Sequence, residues 1–347
     1  MLTAESQFLG KASRGVPPAL LAVLERPGPL VILPHDNPDP DALASAVTLR
    51  FIAKQLAGKD AAIGLGGYVG RAENRAMVRY LSIPLVPIAD LPLAAPETII
   101  ALVDTQPGRR NNSLPAGVQA AIVIDHHPQY TATRELPFAD LREGYGATST
   151  IFTEYLTDVR LHVETKIATA LFYGIMAETQ DLGREATKPD IDACSFLYPH
   201  TNKRRLAKIE NARVPREYFS AFRAAIQSAM IYDRAVVSVL GEIRYPDMVA
   251  EMADFLLRLD EVDWAAAIGK YHDFLYVSLR TTNREVNAGD LLQQVLGSDH
   301  AGGHDMIAGG RIAIPAGADW QEAAARVRGR LIAAVGMQQS SPTRLCE

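Results

Sequence analysis

The segment His35–Asp41, with the sequence HDNPDPD, places one imidazole and three carboxylates within seven residues. It directly follows the apolar run Leu30–Leu33, which is typical of a buried strand. Carboxylates this close together repel one another and raise the free energy of the folded state unless a cation neutralises them. Mixed carboxylate and imidazole ligands suit Mn²⁺ or Mg²⁺ better than metals that prefer thiolates. The alternative is an Asx-rich turn that caps the following helix, which Asp41 could do alone.

Two further apolar runs end in acidic residues. Thr98–Val103 is followed by Asp104, and Ala120–Ile124 is followed by Asp125–His127. Polar residues at the end of a strand are ordinary when each is taken alone. If the runs are parallel strands, however, their carboxyl ends open onto one crevice. Together they would supply three imidazoles and at least four carboxylates, about what a two-metal phosphoryl-transfer site with one bridging carboxylate requires.

Short apolar runs alternate with amphipathic stretches, which indicates repeated strand–helix units around a parallel sheet, an α/β fold. Helices are predicted over Ala42–Leu56, Thr148–Leu156 and Val163–Ala177. In 188–216, three prolines and, from Lys203 onward, six basic residues interrupt this rhythm. The basic residues could flank a nucleic-acid path, although such charge runs are more often solvated faces.

The length of 347 residues is about twice the ~150 residues typical of one domain, so the sequence predicts two domains. We expect an N-terminal metal-binding domain over 1–195, a linker over 196–216 and a smaller C-terminal α/β domain over 217–340. The second domain is predicted to combine helices and strands. They are expected at Glu217–Ile231, Val236–Leu240, Met248–Leu259, Phe274–Arg280, after Ala288, and at Arg311–Ile314.

Composition excludes several classes of protein. Hydrophobic residues make up 48% and charged residues 22%, so disorder, collagen and coiled coil have no compositional support. The formal net charge of −5 gives no global positive field, so a nucleic-acid substrate should be short or locally bound. Cys194 and Cys346 are too few for a disulfide framework. The absence of a spanning apolar run, and of a signal-peptide layout in Met1–Gly15, predicts a cytoplasmic protein without membrane contact.

In combination, the three strand-end motifs closely resemble those of the DHH phosphoesterases. These motifs are HxNPDxD at His35–Asp41, the strand-ending Asp104, and Asp125–His127. The family includes RecJ-type exonucleases, oligoribonucleases that also dephosphorylate adenosine 3′,5′-bisphosphate, and exopolyphosphatases. Further along, Ser278–Arg280 and Ala301–Asp305, with a following Ala-Gly-Gly, are similar to the DHHA1 substrate-binding domain that accompanies it. The resemblance spans about residues 25–320.

The resemblance implies a two-metal site. His35 and Asp39 would bind one ion, and Asp41 and His126 would bind the other. Asp104 would bridge both ions. The implied cofactor is a pair of Mn²⁺ ions, with Mg²⁺ as the alternative.

The resemblance also implies roles for the remaining residues of the third motif. His127 would face the scissile phosphate as an acid or as an orienting group, and Asp125 would hold the histidines in place. The implied mechanism is attack on phosphorus by a hydroxide held between the two ions, without a covalent enzyme intermediate.

The fourth motif departs from the family pattern. The resemblance calls for Gly-Ile followed by Thr-Asp-Thr with a metal-binding aspartate, whereas Gly174–Asp181 reads GIMAETQD. Glu178 therefore occupies the ligand position. Its extra methylene keeps the charge but could shift the ion, and Asp181 could take over the role instead. A further alternative is that Glu178 is a solvated charge at a helix end.

In the second domain, a glycine pair could bind phosphate. Gly302 and Gly303 would let backbone N–H groups approach a phosphate closely, and Arg280 and His304 could add charge-assisted hydrogen bonds. The alternative is a Gly-rich turn between a helix and a strand. Another cluster, Gly64–Gly70, does not match the dinucleotide-binding spacing and is expected to be a strand-to-helix turn.

The sequence therefore predicts an Mn²⁺-dependent, two-domain phosphoesterase with its active site in the cleft between the domains. The expected substrates are short oligonucleotides, nucleoside 3′,5′-bisphosphates or other small phosphorylated molecules, and a homodimer stays open. One alternative is an exopolyphosphatase or pyrophosphatase. Another is a weakly active nucleotide-binding protein in which Glu178 has impaired catalysis.

Overall fold

The computed structural model describes residues 15–109, 111–130, 136–158, 160–183, 186–304 and 306–346, without the side chain of His304. Most of Met1–Gly15, the segment inspected for a signal peptide, lies outside these residues. The chain divides into a unit that ends at Ala212 and a unit that begins at Arg213, a boundary inside the expected linker 196–216. The domain bounds 1–195 and 217–340 and the cleft location of the site stay predictions.

The N-terminal unit consists of a parallel sheet and helices, which confirms the predicted α/β class. Its strands are β1 (Leu30–Pro34), β2 (Ala61–Leu65), β3 (Leu85–Pro87), β4 (Ile99–Val103), β5 (Ile122–Asp125) and β6 (Phe138–Leu141). Its helices are α1 (Pro18–Leu24), α2 (Pro40–Ala57), α3 (Ala72–Leu81), α4 (Thr148–Tyr155), α5 (Thr165–Glu178), α6 (Lys188–Leu197) and α7 (Lys203–Glu210). The strand order is β3-β2-β1-β4-β5-β6. It reverses direction between β1 and β4, where sheets of this kind bind ligands.

β1 is apolar throughout because it is covered on both faces. Leu30 and Ile32 belong to the core that includes α2 and α5, whereas Val31 and Leu33 belong to a second core. Burial of one such side chain contributes about 1.5–3 kcal/mol to stability. This rigid central strand carries the HDNPDPD segment at its carboxyl end.

α2 follows β1 after a short turn. Oδ1 of Asp39 accepts a hydrogen bond of 2.9 Å from the N–H of Ala42, and Pro40 occupies the first helical turn. The helix ends at Gly58, whose φ of 63° is readily adopted by glycine. The alternative in which Asp41 caps this helix is wrong, because the side chain of Asp39 does so.

Most of the expected linker 196–216 is folded onto the N-terminal unit. α7 buries Leu206 and Ile209 in the core of that unit, and α6 precedes it. Pro189 lies in the first turn of α6, and Pro215 precedes α8 (Arg216–Ser228). Proline favours helix starts as well as irregular segments, so the prolines of this stretch are compatible with helices. The linker bounds 196–216 stay a prediction. The expected strand-to-helix turn at Gly64–Gly70 is confirmed, since it joins β2 to α3.

The C-terminal unit is smaller and combines helices with a sheet, as predicted. The sheet is mixed. Its strands are β7 (Met230–Tyr232), β8 (Ala235–Glu242), β9 (Trp264–Tyr271), β10 (Phe274–Thr281), β11 (Ala301–His304), β12 (Ile307–Ala313) and β13 (Thr343–Arg344). They lie in the order β11-β12-β10-β9-β8-β7-β13, with β8 and β9 parallel and the other pairs antiparallel. The helices are α8, α9 (Met248–Leu256), α10 (Ala288–Leu296) and α11 (Trp320–Ala334). Its largest core includes residues of β9, β10, α10 and α11.

The Gly-rich segment of this unit is not a turn. Gly302 and Gly303 lie in β11, which pairs with β12 at the edge of the sheet. A Cβ atom at Gly303 would lie 2.3 Å from the carbonyl oxygen of Ile307, so the close pairing requires glycine. Glycines do not produce the apolar pattern of a strand, which is why the predicted strand began only at Arg311.

Within the described ranges, every helix is too short or too polar to cross a lipid bilayer.

Candidate metal centre

Three adjacent strands bring the three motifs to one edge of the sheet. His35 follows β1, Asp104 follows β4, and Asp125 ends β5. β4 pairs in parallel with both β1 and β5, so the three carboxyl ends are neighbours, as predicted. Asp104 turns away from its strand with a φ of 57°, an uncommon conformation for a residue other than glycine. Such backbone strain often occurs at functional sites.

Two histidines are held with Nε2 towards Asp104. Nδ1 of His35 lies 3.0 Å from the carbonyl oxygen of Asp36, and Nδ1 of His126 lies 3.0 Å from that of Tyr145. A carbonyl only accepts, so Nδ1 carries a proton in both histidines and Nε2 is the nitrogen left for a metal. Both Nε2 atoms lie 3.7 Å from the carboxylate of Asp104, His35 facing Oδ2 and His126 facing Oδ1.

Asp104 consequently lies between two sets of ligand atoms. In one set the donor atoms of His35, Asp39 and Asp104 lie within 4.8 Å of one another, and in the other those of Asp104, His126 and His127 do so. A carboxylate shared by two sets has the position expected of a bridging ligand. The second set contains His127 where the sequence led us to expect Asp41.

The carboxylate of Asp41 has a different environment. Its Oδ2 accepts the N–H of Thr148 and its Oδ1 accepts the N–H of Ser149, both at 2.7 Å. Asp41 thus satisfies the amino end of α4 and is fully buried. Each oxygen keeps a second lone pair, so its predicted metal-binding role stays a prediction.

The site contains more negative charge than its own cations compensate. Burial lowers the pKa of His35, but the nearby charges of Asp39 and Asp104 outweigh burial and raise this pKa to about 10. Burial and the neighbouring carboxylates Asp104, Asp39 and Glu178 raise the pKa of Asp41. Burial and the charge of Asp39 likewise raise the pKa of Asp104. A bound cation would relieve this repulsion.

The donor set fits a hard divalent ion. Nε2 of His126 is buried and has no hydrogen-bond partner among the described residues, although buried polar atoms normally have one. A metal would satisfy this nitrogen. The surrounding donors are carboxylate oxygens and imidazole nitrogens, a combination that suits Mn²⁺ or Mg²⁺.

His127 is held by a separate chain of hydrogen bonds. Its Nδ1 donates to Oδ1 of Asp125 at 2.8 Å, and Oδ2 of Asp125 accepts from the amide of Gln106 at 2.8 Å. Burial lowers the pKa of His127, but the hydrogen bond to Asp125 and the charges of Asp104 and Glu178 raise it to about 9. In the metal-free protein this histidine is therefore cationic at neutral pH, as required of a donor to a phosphate oxygen.

The structure separates the two candidates for the fourth motif. The charge of Glu178 contributes to the pKa values of Asp41 and His127, whereas that of Asp181 contributes to those of Tyr173 and Glu210. Asp181 is also exposed. Glu178 is thus the carboxylate whose charge acts on the cluster, and its role as a ligand stays a prediction.

Arg280 is not placed as a solvent-facing phosphate ligand. Its guanidinium is buried, forms an ion pair with Asp254, and donates to Oγ of Ser278 at 2.7 Å and to the carbonyl of Ala308 at 3.3 Å. These contacts link β10 to α9 and β12. The side chain of His304 and all of Asp305 lie outside the described residues, and phosphate binding by Gly302, Gly303 and His304 stays a prediction.

Sequence reasoning missed three residues that support the site. Thr148 donates to Asp104, Gln106 holds Asp125, and Tyr145 orients His126 through its carbonyl. Gln106 stands two residues after Asp104, a weak signal that was available in the sequence. The sequence contained no signal for Thr148 or Tyr145, because their contacts depend on how α4 packs beside the sheet.

Comparison with known proteins agrees with the motifs. Residues 29–175 match the DHH family, N-terminal domain, and residues 233–331 match the DHHA1 domain. An uncharacterized protein of Methanocaldococcus jannaschii is 33% identical over 83% of this chain and 59% of its own length. The cyclic-di-AMP phosphodiesterase GdpP of Bacillus subtilis is 24% identical over 83% of this chain and 46% of its own. A probable manganese-dependent inorganic pyrophosphatase of Enterococcus faecalis is 26% identical over 48% of this chain and 54% of its own.

The chain thus spans about half the length of the curated relatives that it matches. The crystal structure of an exopolyphosphatase-related protein from Bacteroides fragilis has a TM-score of 0.74, covering 95% of this chain and 100% of that one at 14% identity. At this identity the likeness concerns the fold alone. The two matched domains occur in the order that the motifs predicted. The chain therefore belongs to the family of proteins in which a DHH domain is followed by a DHHA1 domain.

Proposed function

We propose that this protein is a divalent-metal-dependent phosphoesterase that hydrolyses phosphate esters of short oligonucleotides or nucleoside 3′,5′-bisphosphates. The observation that carries the proposal is the position of Asp104, which is shared by two different sets of donors and whose Oδ2 faces His35 and Oδ1 faces His126. The relatives named as a cyclic-di-AMP phosphodiesterase and as a pyrophosphatase support hydrolysis at phosphorus as the reaction class.

In this proposal two Mn²⁺ ions are held by the residues of the cluster. His35, Asp39 and Asp104 would hold one ion, and Asp104 and His126 would hold the other, with Asp41 or Glu178 completing the coordination. When bound, such ions supply a nucleophilic hydroxide at neutral pH and neutralise charge on phosphoryl oxygens.

The residues of the chain itself would position the phosphate and supply a proton. Asp125 holds Nδ1 of His127 and its hydrogen bond raises the pKa of this histidine, so Nε2 would be the nitrogen that donates a proton to a phosphate oxygen or leaving group. Gln106 fixes Asp125 and is itself fully buried. This chain of contacts restricts the ring to one orientation.

Hydrolysis of inorganic polyphosphate or pyrophosphate is the second candidate. The likeness of 48% of the chain to a probable manganese-dependent pyrophosphatase favours it, because that enzyme is named for an inorganic substrate. A nucleotide-binding protein without turnover is the third candidate, motivated by glutamate at position 178 where the family pattern has aspartate.

The deciding experiment is a substrate panel with Mn²⁺. A dinucleotide, adenosine 3′,5′-bisphosphate, an aryl phosphate diester and polyphosphate would be compared before and after chelation, with Asp104→Asn as the matched inactive variant. We expect metal-dependent hydrolysis of the first two substrates. Hydrolysis of polyphosphate alone would select the second candidate, and tight nucleotide binding without turnover would select the third.

A further inference from the structure

Tyr130 lies three residues beyond His127 and exposes 43% of its surface. Its backbone N–H donates to Oε1 of Gln106 at 2.7 Å, while Nε2 of the same amide donates to Asp125 at 2.8 Å. Gln106 is fully buried. The side chain of Gln106 therefore holds both Asp125, the hydrogen-bond partner of His127, and the backbone of Tyr130.

Arg109 lies beside this ring. Its guanidinium carbon is 5.5 Å from the ring centroid, and its Nη2 donates to the carbonyl of Pro128 at 2.7 Å. Pro128 also accepts from Gln106 at 3.1 Å, so Arg109 and Gln106 hold the same turn. An aromatic face and a guanidinium are thus presented together next to the candidate metal centre.

These two groups match the chemistry of a nucleotide. Bases stack on tyrosine rings, and guanidinium groups pair with phosphates. Inorganic polyphosphate has no flat apolar face, so an exposed ring held beside its site would bring no binding free energy. A single exposed tyrosine is ordinary in itself. Tyr130 differs because hydrogen bonds through Gln106 connect its backbone to Asp125, which in turn holds His127.

We propose that Tyr130 is the base-stacking residue of the active site, assisted by Arg109, and that the substrate class is therefore nucleotides. This inference rests on the proposed function and adds the residue that would recognise the base. The base of the substrate would lie on the exposed part of the Tyr130 ring while its phosphate reaches His127 and the metal ligands. Substrate preference would then be set in part by the DHH domain.

The test uses two substrates that differ only in the base. A 5′-phosphorylated adenine dinucleotide and its abasic analogue have the same charge, so the ratio of their kcat/KM values isolates the contribution of the base. Tyr130→Ala should lower this ratio about 10- to 100-fold, the effect of losing one base–aromatic stack. Tyr130→Phe should keep the ratio of the wild type, because the ring remains.

Tyr198→Ala is the matched control. Tyr198 is 51% exposed, lies in the same unit, and has the ammonium of Lys203 4.3 Å from its ring centroid, so it is an equivalent tyrosine–cation pair without the link to Asp125. Its removal should leave the ratio unchanged.

The possible results separate this inference from the proposed function. A wild-type ratio in Tyr130→Ala, or equal hydrolysis of both substrates by the wild type, would overturn the role of Tyr130. If the wild type hydrolysed neither substrate with Mn²⁺, the proposed function would fail instead. The affinity for adenosine 3′,5′-bisphosphate, measured by calorimetry, would then decide the inference. Tyr130→Ala should bind this nucleotide at least about tenfold more weakly than the wild type, and Tyr198→Ala should bind it equally well.

Discussion

The hydroxyl of Thr148 donates a hydrogen bond of 2.8 Å to Oδ1 of Asp104, the oxygen that also lies 3.7 Å from Nε2 of His126. The N–H of the same threonine donates to Asp41. One residue at the start of α4 thus contacts both the proposed bridging carboxylate and a second proposed ligand. The packing of this helix beside the sheet therefore sets the orientation of the metal-binding groups.

Thr148→Val should weaken Mn²⁺ binding about 10- to 100-fold, the usual effect of removing a hydrogen bond to a metal ligand. The change keeps the shape of the side chain and the N–H that donates to Asp41. Thr153→Val is the matched control, because Thr153 is equally buried on α4 and its hydroxyl donates to the backbone carbonyl of Ser149 in the same helix. Calorimetry that gave equal Kd values for both variants would contradict the orienting role.

Asp104→Asn should lose both Mn²⁺ sites, whereas Asp41→Asn should lose at most one. Asp104 is shared by the two ligand sets, while both oxygens of Asp41 already accept hydrogen bonds from α4. The stoichiometry of Mn²⁺ binding measures the difference. Two sites of full affinity in Asp104→Asn would show that this carboxylate does not bridge.

Glu178→Gln should reduce Mn²⁺ affinity and abolish most of the activity. Asp181→Asn should change neither quantity appreciably. The reason is position, because the charge of Glu178 acts on Asp41 and His127 and that of Asp181 acts on Tyr173 and Glu210. The two variants carry the same loss of one charge, so each controls for the other. Wild-type activity in both would remove the fourth motif from the site.

Mn²⁺ binding should release protons and become tighter as the pH rises from 6.5 to 8.5. Burial lowers the pKa of His35, but Asp39 and Asp104 raise it to about 10, so its imidazole is cationic over this range. An imidazole must lose a proton before it binds a metal, so affinity should rise about tenfold per pH unit. Calorimetry in buffers of different ionisation enthalpy counts the protons, and His35→Gln should release fewer than the wild type.

The same shift has a consequence for the stability of the metal-free protein. A raised pKa means that the folded state binds this proton more tightly than the unfolded state. The stabilisation is complete below pH 6.5 and is lost as the pH rises towards 10. The free energy of unfolding, measured with urea, should be lower at pH 9 than at pH 6.5. In His35→Gln this difference between the two pH values should be smaller.

Arg280→Ala should lower the stability of the C-terminal unit rather than simply raise KM. Removal of one partner of a buried, hydrogen-bonded ion pair costs about 3–5 kcal/mol, and Arg280 contacts Asp254, Ser278 and the carbonyl of Ala308. Because Asp254 is partly exposed, we expect the lower end of that range. Urea unfolding measures the change. A variant of normal stability with a raised KM for anionic substrates would instead support the phosphate-binding role predicted from the sequence.

The sequence by itself determined the class of fold, the family and the place of the candidate site. The combination of motifs at His35–Asp41, Asp104 and Asp125–His127 carried the resemblance to the family. The strand-length apolar runs that end in these motifs indicated the class of fold and the place of the site, because parallel strands bring their carboxyl ends to the same edge of a sheet. This information is local, since each motif lies within a few residues of the strand that positions it.

Only the tertiary structure decided which contacts each of these residues makes. Thr148 lies 44 residues from Asp104, and Arg280 lies 26 residues from Asp254, so no local pattern connects either pair. Asp39 rather than Asp41 caps α2, and Asp41 instead meets the amino end of α4. Contacts between distant residues depend on how helices and strands pack against one another, whereas periodicity and motif spacing report only the environment along a single element.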